Sequence, residues 1–222
     1  GSLMSRQRKK QKTEKVEKIE IDRQKDSYDF DRPRMEICVK KPVLYLYPEK
    51  EIDVEIKLNI KNSDFTCVYP KFEDKNECKW KVKANPNGEL TISGKKYPYL
   101  FWEANSYNPQ DLKEGFVVRA ENAEEFLEEK LKILGLNDKE SSEFITYWLP
   151  VLIKNKMSIC SFQTEQFLDN FKYEITPKPD SFLRVFLSIK KIDNEINIKE
   201  QNLKGFKREG FVAVEWGGTN IH

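Results

Sequence analysis

An α+β fold is predicted, with mostly antiparallel, sandwich-like β-sheets in two β-rich halves joined by a helical hairpin. Three observations carry this expectation. "IDVEIKLNI" (residues 52–60) alternates apolar and polar positions without a break, the period of a strand with one buried face. Between residues 121 and 155 the apolar spacing lengthens to that of a helix, and after 156 alternation returns. The connections between the β segments are short, which favours antiparallel pairing.

Residues 1–34 read as a flexible charged arm. "GSLM" at the start looks like a cloning remnant, and "RQRKKQK" (6–12) carries five basic residues and no acid. The rest of the arm mixes charges with Val16, Ile19 and Ile21 as its aliphatics, too few to bury much. The basic run would suit a weak contact with nucleic acid or an acidic partner. A solvated tail explains it as well, because no aromatics are interleaved with it.

Residues 35–120 form the first β-rich half. "EICVKKPVLYLYP" reads as a strand whose Pro42 implies an edge position or a bulge, since proline cannot donate to a ladder. "DFTCVYP" sets Phe65, Cys67 and Tyr69 on one face, and "CKWKVKA" sets Trp80 and Val82 against Lys79, Lys81 and Lys83. "NPNG" is a turn, closed into a hairpin by "ELTIS", and "KKYPYLFWEA" and "EGFVVRA" are two further strands. Residues 121–155 form the helical hairpin. Asn122 with Glu125 resembles a capping box, Phe126, Leu127, Leu131 and Leu134 share a face, and Gly135 is a stop. A second helix starts at Asn137 or Asp138 and is ended or kinked at Pro150. Residues 156–222 form the second β-rich half, with strands at "MSICSF", "FKYEITP", "SFLRVFLSIKKI", "INIKEQN" and "GFVAVEW". Residues 35–222 read as one folded unit.

Composition narrows the function. The chain has 222 residues, 34% charged and 12% aromatic, with a net charge of +2, a soluble globular profile without the positive bias of a general nucleic-acid binder. No apolar run approaches the roughly 20 residues of a membrane-spanning helix, and no signal-peptide core is present. Cys38, Cys67, Cys78 and Cys160 form no C-x-x-C motif and read as reduced thiols, each a buried small hydrophobe, in a cytoplasmic protein. A Cys67–Cys78 bridge across a hairpin is the alternative for a secreted chain. The single histidine is His222, the last residue, so no internal imidazole serves a Ser-His-Asp triad or a His-based metal site. No Gly-rich phosphate loop occurs. Neither a cofactor nor a metal site is expected.

Carboxylate chemistry survives this elimination. Glu103 ends the aromatic run "YPYLFWE", and Glu215 stands before Trp216 and a Gly-Gly pair. Two such glutamates about 5–10 Å apart would be the minimum of a glycosidase. Strand alternation, however, puts neighbours such as Trp102 and Glu103 on opposite faces. The favoured expectation is therefore a non-enzymatic binding or scaffold protein with an aromatic-lined groove for a peptide or glycan, using Tyr97, Tyr99, Trp102, Arg184 and Trp216. The alternative is a carboxylate-dependent hydrolase acting on glycosides through Glu103 and Glu215. Arg184, a lone charge in an apolar strand, needs a carboxylate partner if it faces inward. Glu143 and Tyr147 share a helical face and read as a helix flank.

The blocks "KPVLYLYPEKEIDVEIKL", "YPYLFWEA", "EFITYWLP" and "PDSFLRVF" with "VEWGG" resemble an uncharacterised family of bacteria and microbial eukaryotes. Its members open on a KPVIYLYP-like strand, carry a YPYLFWE-like block and close on a VEWGG-like strand. The similarity spans residues 41–219. Ala104 stands where the family pattern has Gly. The resemblance implies no established activity.

Overall fold

The computed structural model describes residues 36–222; the arm assigned to residues 1–34, with its basic run at 6–12, lies outside them. The described residues are mostly β, with few helices, in a sandwich-like α+β arrangement of two sheets. The seven-stranded sheet has the order β3 (Ser63–Tyr69), β7 (Leu100–Ser106), β1 (Ile37–Tyr47), β12 (Val212–Ile221), β11 (Ser181–Lys191), β9 (Met157–Phe162), β8 (Phe116–Arg119). The five-stranded sheet has the order β10 (Phe171–Thr176), β2 (Ile52–Ile60), β4 (Lys79–Ala84), β5 (Leu90–Ile92), β6 (Lys95–Tyr97). Both sequence halves contribute to both sheets: β10 pairs with β2, and β1 lies against β12.

Two cores flank the larger sheet. One lies between the sheets and holds Leu44, Leu46, Trp80, Trp102, Phe171 and Phe186. The other lies beneath α1 (Ala123–Leu134) and α2 (Asp138–Asn155) and holds Tyr45, Leu127, Phe144, Trp148, Leu187 and Trp216. A sheet covered on both faces explains why β11 is apolar on both of its sides.

Pro42 sits in a bulge, not at an edge, because β1 runs between β7 and β12. The pairing with β12 shifts register between residues 40 and 43 and that with β7 between 39 and 43, and Lys41 takes a φ of 54°. The extra residue switches the alternation. Ile37 and Val39 face the inter-sheet core before it, and Leu44 and Leu46 do so after it. Two glycines opposite make room. A Cβ on Gly217 would meet Pro42 at 3.2 Å, and one on Gly218 would lie 2.6 Å from the Leu187 carbonyl oxygen and 2.7 Å from the Trp148 ring.

β11 and β12 pair in parallel, against the antiparallel trend. A parallel pair requires a crossover, and residues 192–211 supply it. The strand expected at "INIKEQN" is therefore absent; that stretch is irregular, with a single bridge from Lys199 to Glu114. Side chains fasten the crossover. The Gln201 amide donates to the Phe162 carbonyl and accepts from the Phe162 N–H, both at 2.8 Å. Arg208 pairs with Glu140 and donates to the Gly135 carbonyl at 3.1 Å.

The first helix departs from the expected cap. Asn122 ends a 3-10 turn (Ala120–Asn122) and makes no side-chain cap bond, because its backbone lacks the extended conformation of a capping residue. Gly135 ends α1 at a φ of 105°, as its position implied. Asn137 and Glu140 form a reciprocal capping box at 2.8 and 2.9 Å. Pro150 lies inside α2 and does not end it. A short α3 (Glu165–Leu168) precedes β10. All four cysteines are free thiols, and only Cys160 is buried; Cys38 and Cys67 are exposed. The burial expected for these cysteines fails because Cys38 and Cys67 sit on outward positions of their strands. No helix among the described residues is long and apolar enough to cross a membrane.

Candidate functional site

Glu103 and Glu215 lie on opposite faces of the seven-stranded sheet. On β7, Leu100, Trp102 and Ala104 face the inter-sheet core, which leaves Phe101 and Glu103 on the helix side. On β12 the phase is reversed: Val214 and Trp216 face the helices, so Glu215 points between the sheets with Ala213. No single sugar ring can lie between two carboxylates separated by a sheet. Strand alternation and the register of β7 and β12 thus keep the two glutamates apart.

Each glutamate has local partners instead. Glu215 Oε1 accepts from Arg184 Nε at 2.9 Å, and Arg184 Nη1 donates to the Leu168 carbonyl at 3.1 Å. The guanidinium lies over the Tyr173 ring at 5.1 Å. Trp102 Nε1 donates to the Tyr173 hydroxyl at 2.7 Å. Glu215 Oε2 has no hydrogen-bond partner among the described residues, although the Tyr173 hydroxyl lies beside it. Burial, then the Glu215 charge, pushes the Tyr173 phenol well up. Trp102 is 1% exposed, so Arg184, Glu215, Tyr173 and Trp102 form an interior polar chain that presents no indole face to a ligand.

Across the sheet, Glu103 Oε2 accepts from the strained Lys41 N–H at 3.0 Å, and the Lys41 ammonium lies 5.5 Å from the Tyr147 ring. Trp216, also 1% exposed, donates through Nε1 to Tyr45 at 2.8 Å, and Tyr45 donates to Glu143 Oε2 at 2.9 Å. Tyr47 donates to the fully buried Glu140 at 2.6 Å. Burial, then the Glu143 charge, raises the Tyr45 phenol; burial, then the Glu140 contact, raises Tyr47; burial, then Glu143, raises Tyr99. Tyr99 packs edge-on to Tyr45 at 5.8 Å and belongs to this layer. The blocks "YLYP", "EFITYW" and "VEWGG" therefore meet in one packed, hydrogen-bonded layer under α2.

Of the proposed aromatics, Tyr97 lines a cleft, and Tyr99 is likewise only half-buried. A cleft of about 880 Å³ opens beside β4 and the short β5–β6 hairpin, lined by Tyr97, Phe72, Trp80, Lys71, Lys81 and Lys95 among others. Tyr69, 51% exposed, packs edge-on to Tyr97 at 5.7 Å. Lys95 donates to the Tyr69 hydroxyl at 3.3 Å and lies 5.2 Å from the Tyr97 ring. The Tyr69 hydroxyl and the two rings hold that ammonium and raise its pKa. Sequence reasoning missed Phe72, which reaches Trp80 at 4.5 Å from a loop without periodicity. The outward lysines of β4 were its one visible signal. Among the described residues no cluster of three or more His, Cys, Asp or Glu side chains is poised for a metal.

By fold and site the described residues form a β-rich α+β protein with an aromatic- and lysine-lined cleft beside β4 of the smaller sheet. No family model matches it, and no solved structure matches it. A stretch of 67 residues, 29% of this chain, is 40% identical to the "Uncharacterized protein in bglA 3'region" of Butyrivibrio fibrisolvens. The chain spans 66% of that relative's length. The similarity is to an uncharacterised protein and brings no established activity with it.

Proposed function

We propose that this chain is a non-enzymatic binding module whose cleft at Tyr97 holds a segment of peptide or glycan. One observation carries the reading: the 880 Å³ opening falls in the range of ligand sites and is lined by aromatic rings together with lysine and carboxylate side chains. The two cores, the interior Arg184 chain and the helical pair, taken as one hairpin, act as scaffold. Residues 35–222 serve as one folded unit in this reading, with the arm at 1–34 outside it. Trp102, Arg184 and Trp216 then support the site from the interior, and Tyr99 belongs to the helix-side layer.

Immobilised wild-type protein is probed with a random peptide library and with a glycan array, beside Tyr97→Ala, Lys95→Ala and, as a control, Tyr107→Ala at an exposed tyrosine. Ligands retained by the wild type and by Tyr107→Ala, and weakened at least tenfold by both cleft variants, are the expected result. Equal capture by all four proteins contradicts the reading.

A further inference from the structure

We infer that a second cleft, separate from the one at Tyr97, binds a neutral saccharide through carboxamide side chains. It lies between the loop after β7 and the β9–β10 connection, holds about 460 Å³ and shares no lining residue with the Tyr97 cleft. Its volume falls in the range of ligand sites. Five of its ten lining residues are carboxamides: Asn108, Gln110, Gln163, Gln166 and Asn170. A smaller opening of about 200 Å³ shares Asp111, Lys113, Gln163 and Thr164 with it and adds Ser161 and Gln201. The inference stands apart from the reading of the Tyr97 cleft and is tested apart from it.

The protein behind the cleft fixes these groups. Buried Gln163 accepts from the Asp111 N–H at 3.2 Å and donates to the Asp111 carbonyl at 3.1 Å, which clamps the two loops together. Buried Asn108 donates to the Lys61 carbonyl at 2.6 Å, and Ser161 donates to the Glu114 carbonyl at 2.7 Å. Half-buried Gln110 accepts from Ser188 through Oε1, and half-buried Asn170 donates to the Phe167 carbonyl at 2.9 Å through Nδ2. Each carboxamide then keeps its other end, the Gln110 amide N–H groups as donors and the Asn170 Oδ1 as an acceptor. Gln166 and Thr164 are exposed. The polar character also runs inward. Ser161, Ser188 and Thr219 stand opposite one another on β9, β11 and β12, all of them buried, and Thr219 Oγ1 has no hydrogen-bond partner among the described residues.

Chemistry selects the ligand class. A sugar ring offers neighbouring hydroxyls, each a donor and an acceptor, and a carboxamide offers both on a single plane. Asp111 and Lys113 are the formal charges in the lining and offset each other, so no net charge favours a phosphate or a carboxylate. Phe167, the one aromatic residue in the lining, is buried and leaves no open face for a nucleobase to stack on. An apolar peptide side chain would find only Pro109 and Phe167. With no ring to stack on, affinity rests on hydrogen bonds that water also makes, so a dissociation constant of about 1–10 mM is expected. Binding of that strength is lost in the washing of an array and is read in solution.

The test titrates isotope-labelled full chain with maltose, cellobiose, lactose and trehalose, each to about 100 mM, and follows backbone and side-chain amides by NMR. The expected result is that at least one disaccharide shifts the side-chain amides of Gln110, Gln163, Gln166 and Asn170 together and saturably. Gln166→Ala, at an exposed side chain where the fold is not at risk, should weaken that binding at least fivefold, and Gln110→Ala should do the same. Asn194→Ala, at an exposed carboxamide outside the cleft, should leave it unchanged. No saturable shift at these groups with any of the four sugars overturns the inference, as does binding that Gln166→Ala and Gln110→Ala leave intact. Triglycine saturating the same groups at lower concentration than every disaccharide overturns the ligand class. Sugar shifts that gather at Phe72, Ile92 and Tyr97 instead overturn this second site while keeping the Tyr97 cleft as a binding site.

Discussion

Glu140 shows what a single buried carboxylate does here. It is fully buried and faces Arg208, the Tyr47 hydroxyl and the Asn137 N–H together. Glu140→Ala leaves Tyr47 without its acceptor and Arg208 with the Gly135 carbonyl but no carboxylate, and the expected cost is about 3–5 kcal/mol, measured by denaturant unfolding. Arg184 and Glu215 allow a sharper comparison. Arg184→Met alone strands a carboxylate that is 4% exposed, and about 3–5 kcal/mol should be lost. The double variant Arg184→Met with Glu215→Leu should recover most of that loss, since two apolar groups leave no charge uncompensated. A double variant as unstable as the single one would mean that the pair contributes by packing. The phenols of Tyr45, Tyr47 and Tyr173 sit above their ordinary value of 10.0 in the fold. Above pH 10 the unfolded chain therefore releases protons that the native chain keeps. Stability is full below that pH and falls as pH rises through the raised values, by up to about 1.4 kcal/mol per pH unit for each group. Denaturant unfolding from pH 8 to 11 checks this, and Tyr47→Phe should flatten the decline. At this scale the sequence showed that an inward-facing Arg184 needed a carboxylate partner, and the fold supplies Glu215. Nothing in it marked Glu140, because its burial depends on Arg208 arriving from a crossover 68 residues later.

Elements were legible where one period ran unbroken. The alternation of β2 is the pattern seen in that strand, and Gly135 ends α1 where its position implied. Legibility failed where distant chain decides local shape. "INIKEQN" alternates, yet residues 192–211 must carry the chain from β11 back to a parallel β12, and side-chain clasps replace ladder bonds there. The bulge at Lys41 was half visible through Pro42; its partners, Gly217 and Gly218, came into view only once β1 lay beside β12. Gly218→Ala is the matching prediction. Its Cβ would press on the backbone oxygen of Leu187 and on a Trp148 ring that is itself 1% exposed, so neither neighbour can give way cheaply. A loss of about 2 kcal/mol or more is expected from thermal or denaturant unfolding. A neutral result would show that β11 and β12 separate more readily than their packing suggests.

At the scale of the whole molecule, the burial of both faces of the large sheet decides where a ligand can sit. Trp102 and Trp216, the residues most suggestive of a sugar platform by type, are committed to the two cores. The open ground is at the other end of the sandwich, where β5 and β6 are three residues each and peel away from β4. Composition and motifs do not mark it, because the site consists of a loop phenylalanine, a short hairpin and lysines of ordinary surface type. The most direct measurement follows the backbone amides of isotope-labelled full chain by solution NMR as a peptide recovered from the library is added. Shifts should gather at Phe72, Lys81, Lys83, Ile92 and Tyr97 and leave Glu103 and Glu215 in place. Shifts centred on Glu103 or Glu215, with the cleft amides unmoved, would contradict the cleft as the binding site.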